Sequence, residues 1–255
     1  MYVNSLIFLC CSAGLIGHHN NIIAASSVKT SALVRQLLAA EDVHAPPNAD
    51  QPREPVVVDV SLQATGIQHD RRESDLVIFL GFLDLSWTNS RLTWDPLQHH
   101  NITAVRLPAD RVWLPDITLY NSAFINSYDT RSRAVFPEEK QLVSVRSDGA
   151  VTWIPRVTFP LSCNSTRNTA GDEVHCVIKL ASWMYDGWLV DFQASSGDII
   201  HRTDYAYSQR GSRYRIVDSK VRRNVVFYPC CIEPYPSIDM TFTARSAAAS
   251  PLRLA

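Results

Sequence analysis

Two adjacent cysteines, Cys230 and Cys231, sit in the run YPCCIEPY, with Tyr228 and Tyr235 on either side. Consecutive Cα atoms are about 3.80 Å apart, below the usual disulfide range of about 4.4–6.8 Å, so bonding neighbours needs local distortion. The natural use of such a bond is to stiffen a loop tip. Other aromatics stand in strand or loop contexts: Tyr120 in WLPDITLYN, and Trp183 and Tyr185 in ASWMYDG. Ring faces attract ammonium and guanidinium groups, and a desolvated contact contributes about 2 kcal/mol. Several rings beneath a rigid tip make a box for a cation, and the stiff tip lowers the ordering cost of binding. Spacing alone does not bring the rings together, and each one singly reads as core or ordinary surface.

Other chemistry is sparse. The chain has no G-x-S-x-G elbow, no glycine-rich phosphate loop, no H-E-x-x-H and no C-x-x-C. The pairs His18–His19 and His99–His100 lack metal-ligand spacing, and His175 beside Cys176 reads as the surface of a loop. No Asp or Glu carries a distinctive acid–base spacing. We therefore expect no catalytic residue, no bound metal and no cofactor. With 24 Lys+Arg against 25 Asp+Glu there is no basic surface to track phosphates, so nucleic acid is not an expected partner. A 46% hydrophobic and 19% charged composition is that of a folded chain rather than a disordered one.

Residues 1–25, MYVNSLIFLCCSAGLIGHHNNIIAA, resemble a secretory leader with cleavage near 13 or 24–25, although the first residues lack the usual positive charge. No later segment offers about 20 consecutive apolar residues, and the best run, LVIFLGFLDL, contains Asp84. Beyond the leader, Cys163, Cys176, Cys230 and Cys231 allow three pairings; adjacency makes Cys163–Cys176 with Cys230–Cys231 the first to test. Asn101-Ile-Thr103 and Asn164-Ser-Thr166 are N-glycosylation acceptors. Together these features predict a secreted, extracellular protein without membrane insertion.

The elements that must position the rings are mostly strands. SSVKTSALVRQLLAAE carries a short helical pattern through Val34, Leu37 and Leu38, which the prolines of VHAPPNADQPREP end. From Val56 the period changes to two, with Val56, Val58, Val60 and Leu62 on one side. Further strands are predicted at 75–87, 102–107, 140–147, 150–159, 174–183, 188–193, 212–218, 221–229 and 237–244. Turn signals lie at Ser147-Asp148-Gly149, Asp186-Gly187 and Gly171-Asp172. About ten short strands without regular helices between them indicate an all-β antiparallel sandwich or barrel-like fold in one domain, 26–245, followed by a loose tail at 246–255.

These residues resemble a known family. WTNSRLTWDP at 87–96, WLPDITLYN, the Cys163–Cys176 loop, SWMYDGW and YPCCIEPY are similar to the soluble acetylcholine-binding proteins, relatives of the ligand-binding domain of Cys-loop nicotinic receptors. The resemblance covers roughly 26–245. The twelve residues inside the Cys loop match the soluble proteins more closely than the receptors, whose loop is usually one residue longer. The resemblance implies an immunoglobulin-like sandwich of about ten strands with a short N-terminal helix, and a ring of five identical subunits. It implies acetylcholine or a nicotine-like cation bound between neighbours, in synaptic cleft or body fluid. One face would use Tyr120, Trp183, Tyr228, Cys230, Cys231 and Tyr235; the neighbour's complementary face would use Phe82, Ser144, Thr152 and Ile154. Trp87, Trp94 and Trp113 match tryptophans with packing roles.

Two departures from that pattern stand out. Phe82 occupies a position where tryptophan is usual, and Ser237 replaces an acid associated with Lys179, the nearest acid being Asp239. After Phe242 only 13 residues remain, too few for a spanning helix of about 20 residues, so ligand capture rather than ion conduction is expected. The competing expectation is a carrier or assembly protein of the same fold with altered or lost cholinergic binding.

Overall fold

Alternation of apolar and polar residues sorts this chain into two sheets. The computed structural model describes residues 29–51, 53–69, 75–124, 135, 141–168, 171–201 and 214–246. The expected leader, and the expected tail apart from Ser246, lie outside the described residues. A helix, α1, spans 29–40 and buries Leu33 and Leu37, one turn apart. Thirteen strands follow: β1 (Val56–His69), β2 (Leu76–Thr93), β3 (Ala104–Pro108), β4 (Ile117–Leu119), β5 (Leu142–Arg146), β6 (Asp148–Trp153), β7 (Arg156–Ser162), β8 (Asn164–Asn168), β9 (Gly171–Ser182), β10 (Val190–Ala194), β11 (Ile200–His201), β12 (Tyr214–Phe227) and β13 (Pro234–Ser246). The first sheet runs β10-β1-β2-β6-β5-β3, with β7 added along β2 and β11 along β1; the second runs β12-β13-β9-β4, with β8 added along β9.

The core lies between the sheets. Val56, Val58, Val60 and Leu62 of β1 are buried, as are Val77, Phe79, Leu83, Leu85 and Trp87 of β2. Phe79 meets Phe159 of β7 at 6.3 Å and Phe242 of β13 at 5.6 Å between ring centroids, joining the layers. The apolar run at 76–85 is thus a strand with one face in the core. Trp87, Trp94 and Trp113 are all buried, and Trp94 donates its ring N–H to the Ile102 carbonyl at 2.6 Å.

Four readings change. Not every pair is antiparallel: β1 runs parallel to β10 and to β11. The strand expected at 150–159 divides at Ile154–Pro155, because proline has no N–H for the ladder; its carbonyl accepts instead from the Leu83 N–H at 3.0 Å. The strands expected at 212–218 and 221–229 are one, β12: Ser219 and Lys220 keep their pairing with Phe242 and Thr241, and a bulge between Ile216 and Asp218 absorbs the irregularity. Gly171 and Asp172 are ladder residues of β9 rather than the turn itself, with Asn168 paired to Gly171. The Ser147–Gly149 hairpin forms as expected, with Gly149 at a φ of 84°, a conformation that favours glycine.

Disulfides join Cys163 to Cys176 and Cys230 to Cys231. The first closes the β8–β9 hairpin from a buried position. One further tie has no counterpart in the sequence reading. The buried carboxylate of Glu41, just after α1, accepts from Asn89 Nδ2 at 2.9 Å, from Arg91 and from the Trp113 N–H at 3.0 Å. Arg91 also donates to the Asp42, Ala45 and Pro46 carbonyls, so the exit of the helix is locked to the end of β2.

Candidate functional site

One end of the second sheet gathers the aromatic residues. Tyr120 follows β4, Trp183 follows β9, Tyr228 follows β12, and Tyr235 lies near the start of β13. Antiparallel pairing of β9 with β4 and β13 carries these positions to the same end of the ladder: Ala181 opposes both Thr118 and Ser237. Ring centroids of Tyr120 and Trp183 stand 5.8 Å apart, and those of Tyr228 and Tyr235 5.2 Å apart in an edge-on arrangement. Trp183 is 65% exposed and Tyr228 48%, so neither ring is spent on the core. Cys230 and Cys231 form the tip beyond them, with the Cys231 N–H donating to the Tyr228 carbonyl at 3.1 Å. Tyr185, the other aromatic of ASWMYDG, turns inward and meets the Trp113 ring at 6.5 Å.

The cluster is held from below. The Tyr120 hydroxyl donates to the Ser182 carbonyl at 2.6 Å. Burial raises its pKa, and the charges of Asp116, Tyr228 and Tyr235 push the same way, so the phenol stays a neutral donor at neutral pH. Asp116 Oδ2 accepts the Met184 N–H at 2.7 Å and the Trp183 N–H at 3.1 Å, fixing the turn that presents Trp183. Burial raises the Asp116 pKa, opposed by hydrogen bonds from the Ser182 hydroxyl and these two amides. Its Oδ1 is buried without a partner among the described residues. The Gly187 N–H donates to the Pro234 carbonyl at 2.7 Å, and a Cβ at Gly187 would lie 2.8 Å from Pro236 Cδ, so only glycine allows this approach of the Trp183 loop to β13. Asp116 was not singled out from the sequence; the signal available was an acid directly after proline in an otherwise apolar run.

The other expected site residues belong to the first sheet. Phe82 lies on β2, Ser144 on β5 opposite Thr152 of β6, and Ile154, 48% exposed, lies between β6 and β7. Phe82 pairs in register with Arg156, whose guanidinium lies 6.0 Å from the ring centroid. The structure thus divides the ten expected ligand contacts into two groups, six at the aromatic end of one sheet and four on the other sheet.

Lys179 of β9 stands directly opposite Asp239 of β13 in the ladder. The Asp239 carboxylate accepts instead from Asn224 Nδ2 and from the Ser237 hydroxyl. Among the described residues no ion pair joins Asp239 to Lys179. The glycosylation acceptors Asn101 and Asn164 are both exposed.

Comparison with known proteins decides the family. Residues 30–246 match the neurotransmitter-gated ion-channel ligand binding domain. The chain belongs to this family. The family is one of non-catalytic ligand-binding domains. Among curated relatives, the acetylcholine receptor subunit alpha-type acr-16 of Caenorhabditis elegans is 33% identical over 196 residues, covering 75% of this chain and 36% of the relative. The human neuronal acetylcholine receptor subunit alpha-10 is 30% identical over 201 residues, covering 76% and 40%. The acetylcholine receptor subunit alpha-like 2 of Drosophila melanogaster is 30% identical over 173 residues, covering 64% and 28%. The chain therefore spans well under half the length of these receptor-subunit relatives. Among the described residues no helix is long and apolar enough to cross a membrane.

Proposed function

We propose that this chain captures acetylcholine and related cationic ligands as a secreted, soluble acetylcholine-binding protein, buffering cholinergic signals without forming a channel. The observation that carries this reading is the cluster of Tyr120, Trp183, Tyr228 and Tyr235, with Trp183 and Tyr228 exposed, next to the Cys230–Cys231 tip. Aromatic rings suit a quaternary ammonium, which has no N–H with which to hydrogen-bond and is attracted by ring faces. The relatives' names as acetylcholine receptor subunits support the ligand class, and the twelve-residue Cys loop supports the soluble branch. In this reading the binding domain is 26–245, processed from a leader at 1–25, and Asn101 and Asn164 carry glycans.

A half-exposed aromatic cluster leaves a cation open to water on one side, and a second copy closes it. Phe82, Ser144, Thr152 and Ile154 of that copy then face Tyr120, Trp183, Tyr228, Cys230, Cys231 and Tyr235, and five copies close a ring. The test is native mass measurement of the glycosylated protein with calorimetric titration by acetylcholine and nicotine. A pentamer with saturable heat and quenched tryptophan fluorescence is expected; a well-folded pentamer with neither overturns the reading. A second reading, a carrier of the same fold with altered specificity, draws on Arg156, whose guanidinium already attends the Phe82 ring. It predicts a pentamer that takes other cations in preference to acetylcholine.

A further inference from the structure

The last residue of SWMYDGW, Trp188, stands between two ties that hold the Trp183 loop. On one side the Gly187 N–H donates to the Pro234 carbonyl of β13 at 2.7 Å. On the other the Leu189 carbonyl accepts the Val56 N–H of β1 at 2.9 Å. The Trp188 N–H itself donates to Asp186 Oδ1 at 2.8 Å. Its ring is partly buried, and the Arg53 guanidinium lies over it, 4.9 Å from the centroid. That is well inside the range of about 6 Å over which a ring face attracts a cation.

Arg53 belongs to the segment that leads from α1 into β1, and two observations set it apart. Its φ is 67°, a left-handed conformation that a residue with a Cβ adopts at a cost. The carboxylates of Asp50 and Glu54 lie close by in the chain, yet among the described residues the guanidinium pairs with neither and takes the Trp188 ring instead. A costly backbone conformation persists where surrounding contacts over-determine it. Here the contact is with the loop that presents Trp183.

We propose that Arg53 is a positioning residue for ligand capture: through the Trp188 ring it clamps the Trp183 loop between β1 and β13. The proposal rests on the ligand-capture reading above and deepens it. Arg53 acts on the site through Gly187, whose close approach to Pro234 and Pro236 sets the spacing between the Trp183 loop and the strand that carries Tyr235. With the clamp released, the loop leaves β13 more often and a bound cation escapes sooner. Encounter with the exposed Trp183 and Tyr228 rings is unaffected, so the effect falls on dissociation rather than association.

The test is acetylcholine binding by the full chain, with dissociation rates from stopped-flow tryptophan fluorescence, affinities from calorimetry and a thermal melt of each variant. Arg53→Gln removes the cation and should speed dissociation about threefold. Arg53→Lys keeps a cation and should restore most of that loss. Arg53→Gly deletes the cation but relieves the left-handed strain, so its melting temperature should hold while dissociation speeds up as in Arg53→Gln. A residue with a merely structural role would move melting and dissociation together. Trp188→Leu should speed dissociation at least as much, and adding Arg53→Gln to it should change nothing further, because the cation acts through the ring. Dissociation at the unmodified rate in Arg53→Gln and Arg53→Gly overturns the proposal and leaves ligand capture standing. So does a further loss in the double variant, or an Arg53→Lys protein no better than Arg53→Gln. If the unmodified chain shows no saturable acetylcholine binding, the ligand-capture reading itself fails and the proposal falls with it.

Discussion

The aromatic end of the second sheet and the outer face of the first are built by opposite rules. At the aromatic end the polar groups that set the geometry are nearly all engaged: Asp116 takes two backbone amides, Tyr120 donates to Ser182, and Gly187 is tied to Pro234. On the first sheet, the buried Ser61 hydroxyl has no partner among the described residues, and the Arg156 guanidinium lies 6.0 Å from the Phe82 ring centroid. One region is held in shape by its own hydrogen bonds; the other offers a ring and a charge with fewer such ties. Binding strength is expected to reside mainly in the first and selectivity in the second.

The largest break in that contrast is Trp183→Ala. Central aromatic anchors cost more than about 2 kcal/mol when truncated, so acetylcholine affinity should fall by about a hundredfold in calorimetry. The melting temperature should hardly move, because the ring is 65% exposed. Binding that survives within tenfold would place the site elsewhere.

Asp116→Ala should act next. It leaves the Trp183 and Met184 amides without their acceptor, and affinity should fall about tenfold with a lower melting temperature. Asp116→Asn keeps an acceptor oxygen and should retain most binding. It should also change the pH profile of stability. The Asp116 pKa is raised in the folded state, so its contribution to stability is fully present below the ordinary carboxylate range and is lost as pH rises through the elevated value. Melting curves across about pH 4–8 should therefore show a decline toward higher pH in the unmodified protein that is smaller in Asp116→Asn. Equal slopes would mean that Asp116 sits in a wetter site than its buried Oδ1 indicates.

The contrast also explains what could be read from the amino acids. The first strand was legible because a residue such as Val58 or Val60 declares its face through a two-residue period, and adjacency put one of three possible cysteine pairings first, the one that forms. Tyr120 and Trp183 were legible as types, and their meeting depended on the β4–β9 register, which neither WLPDITLYN nor SWMYDGW states. Tyr185 carries the same local signature as Trp183 yet packs on Trp113, since the chain bends at Trp183–Met184 and the Tyr185 N–H donates back to the Ser182 hydroxyl. Glu41 and Asp116 were illegible for a different reason. Each is a single acid whose role depends on amides distant in sequence, Trp113 for one and Met184 for the other. Lys179 shows the limit in the opposite direction: the register sets it facing Asp239, but Asn224, fifteen residues from that acid along the chain, takes the carboxylate.

The finest test of the contrast is Phe82→Trp. An indole face attracts a cation more strongly than a phenyl face, and at a partly exposed site the gain is worth about 0.5–1 kcal/mol, or roughly threefold in affinity. That modest figure is the point of the comparison. If binding strength resides in the aromatic end, improving a ring on the first sheet should change affinity for acetylcholine by no more than this. Arg156 competes for the same ring, so Arg156→Gln combined with Phe82→Trp should exceed the product of the two single changes, a coupling that a double-mutant cycle reads directly. A gain above about thirtyfold from Phe82→Trp alone would reverse the assignment and put the dominant contact on the first sheet. Additivity of the two changes would mean that the guanidinium and the ligand occupy different faces of the ring.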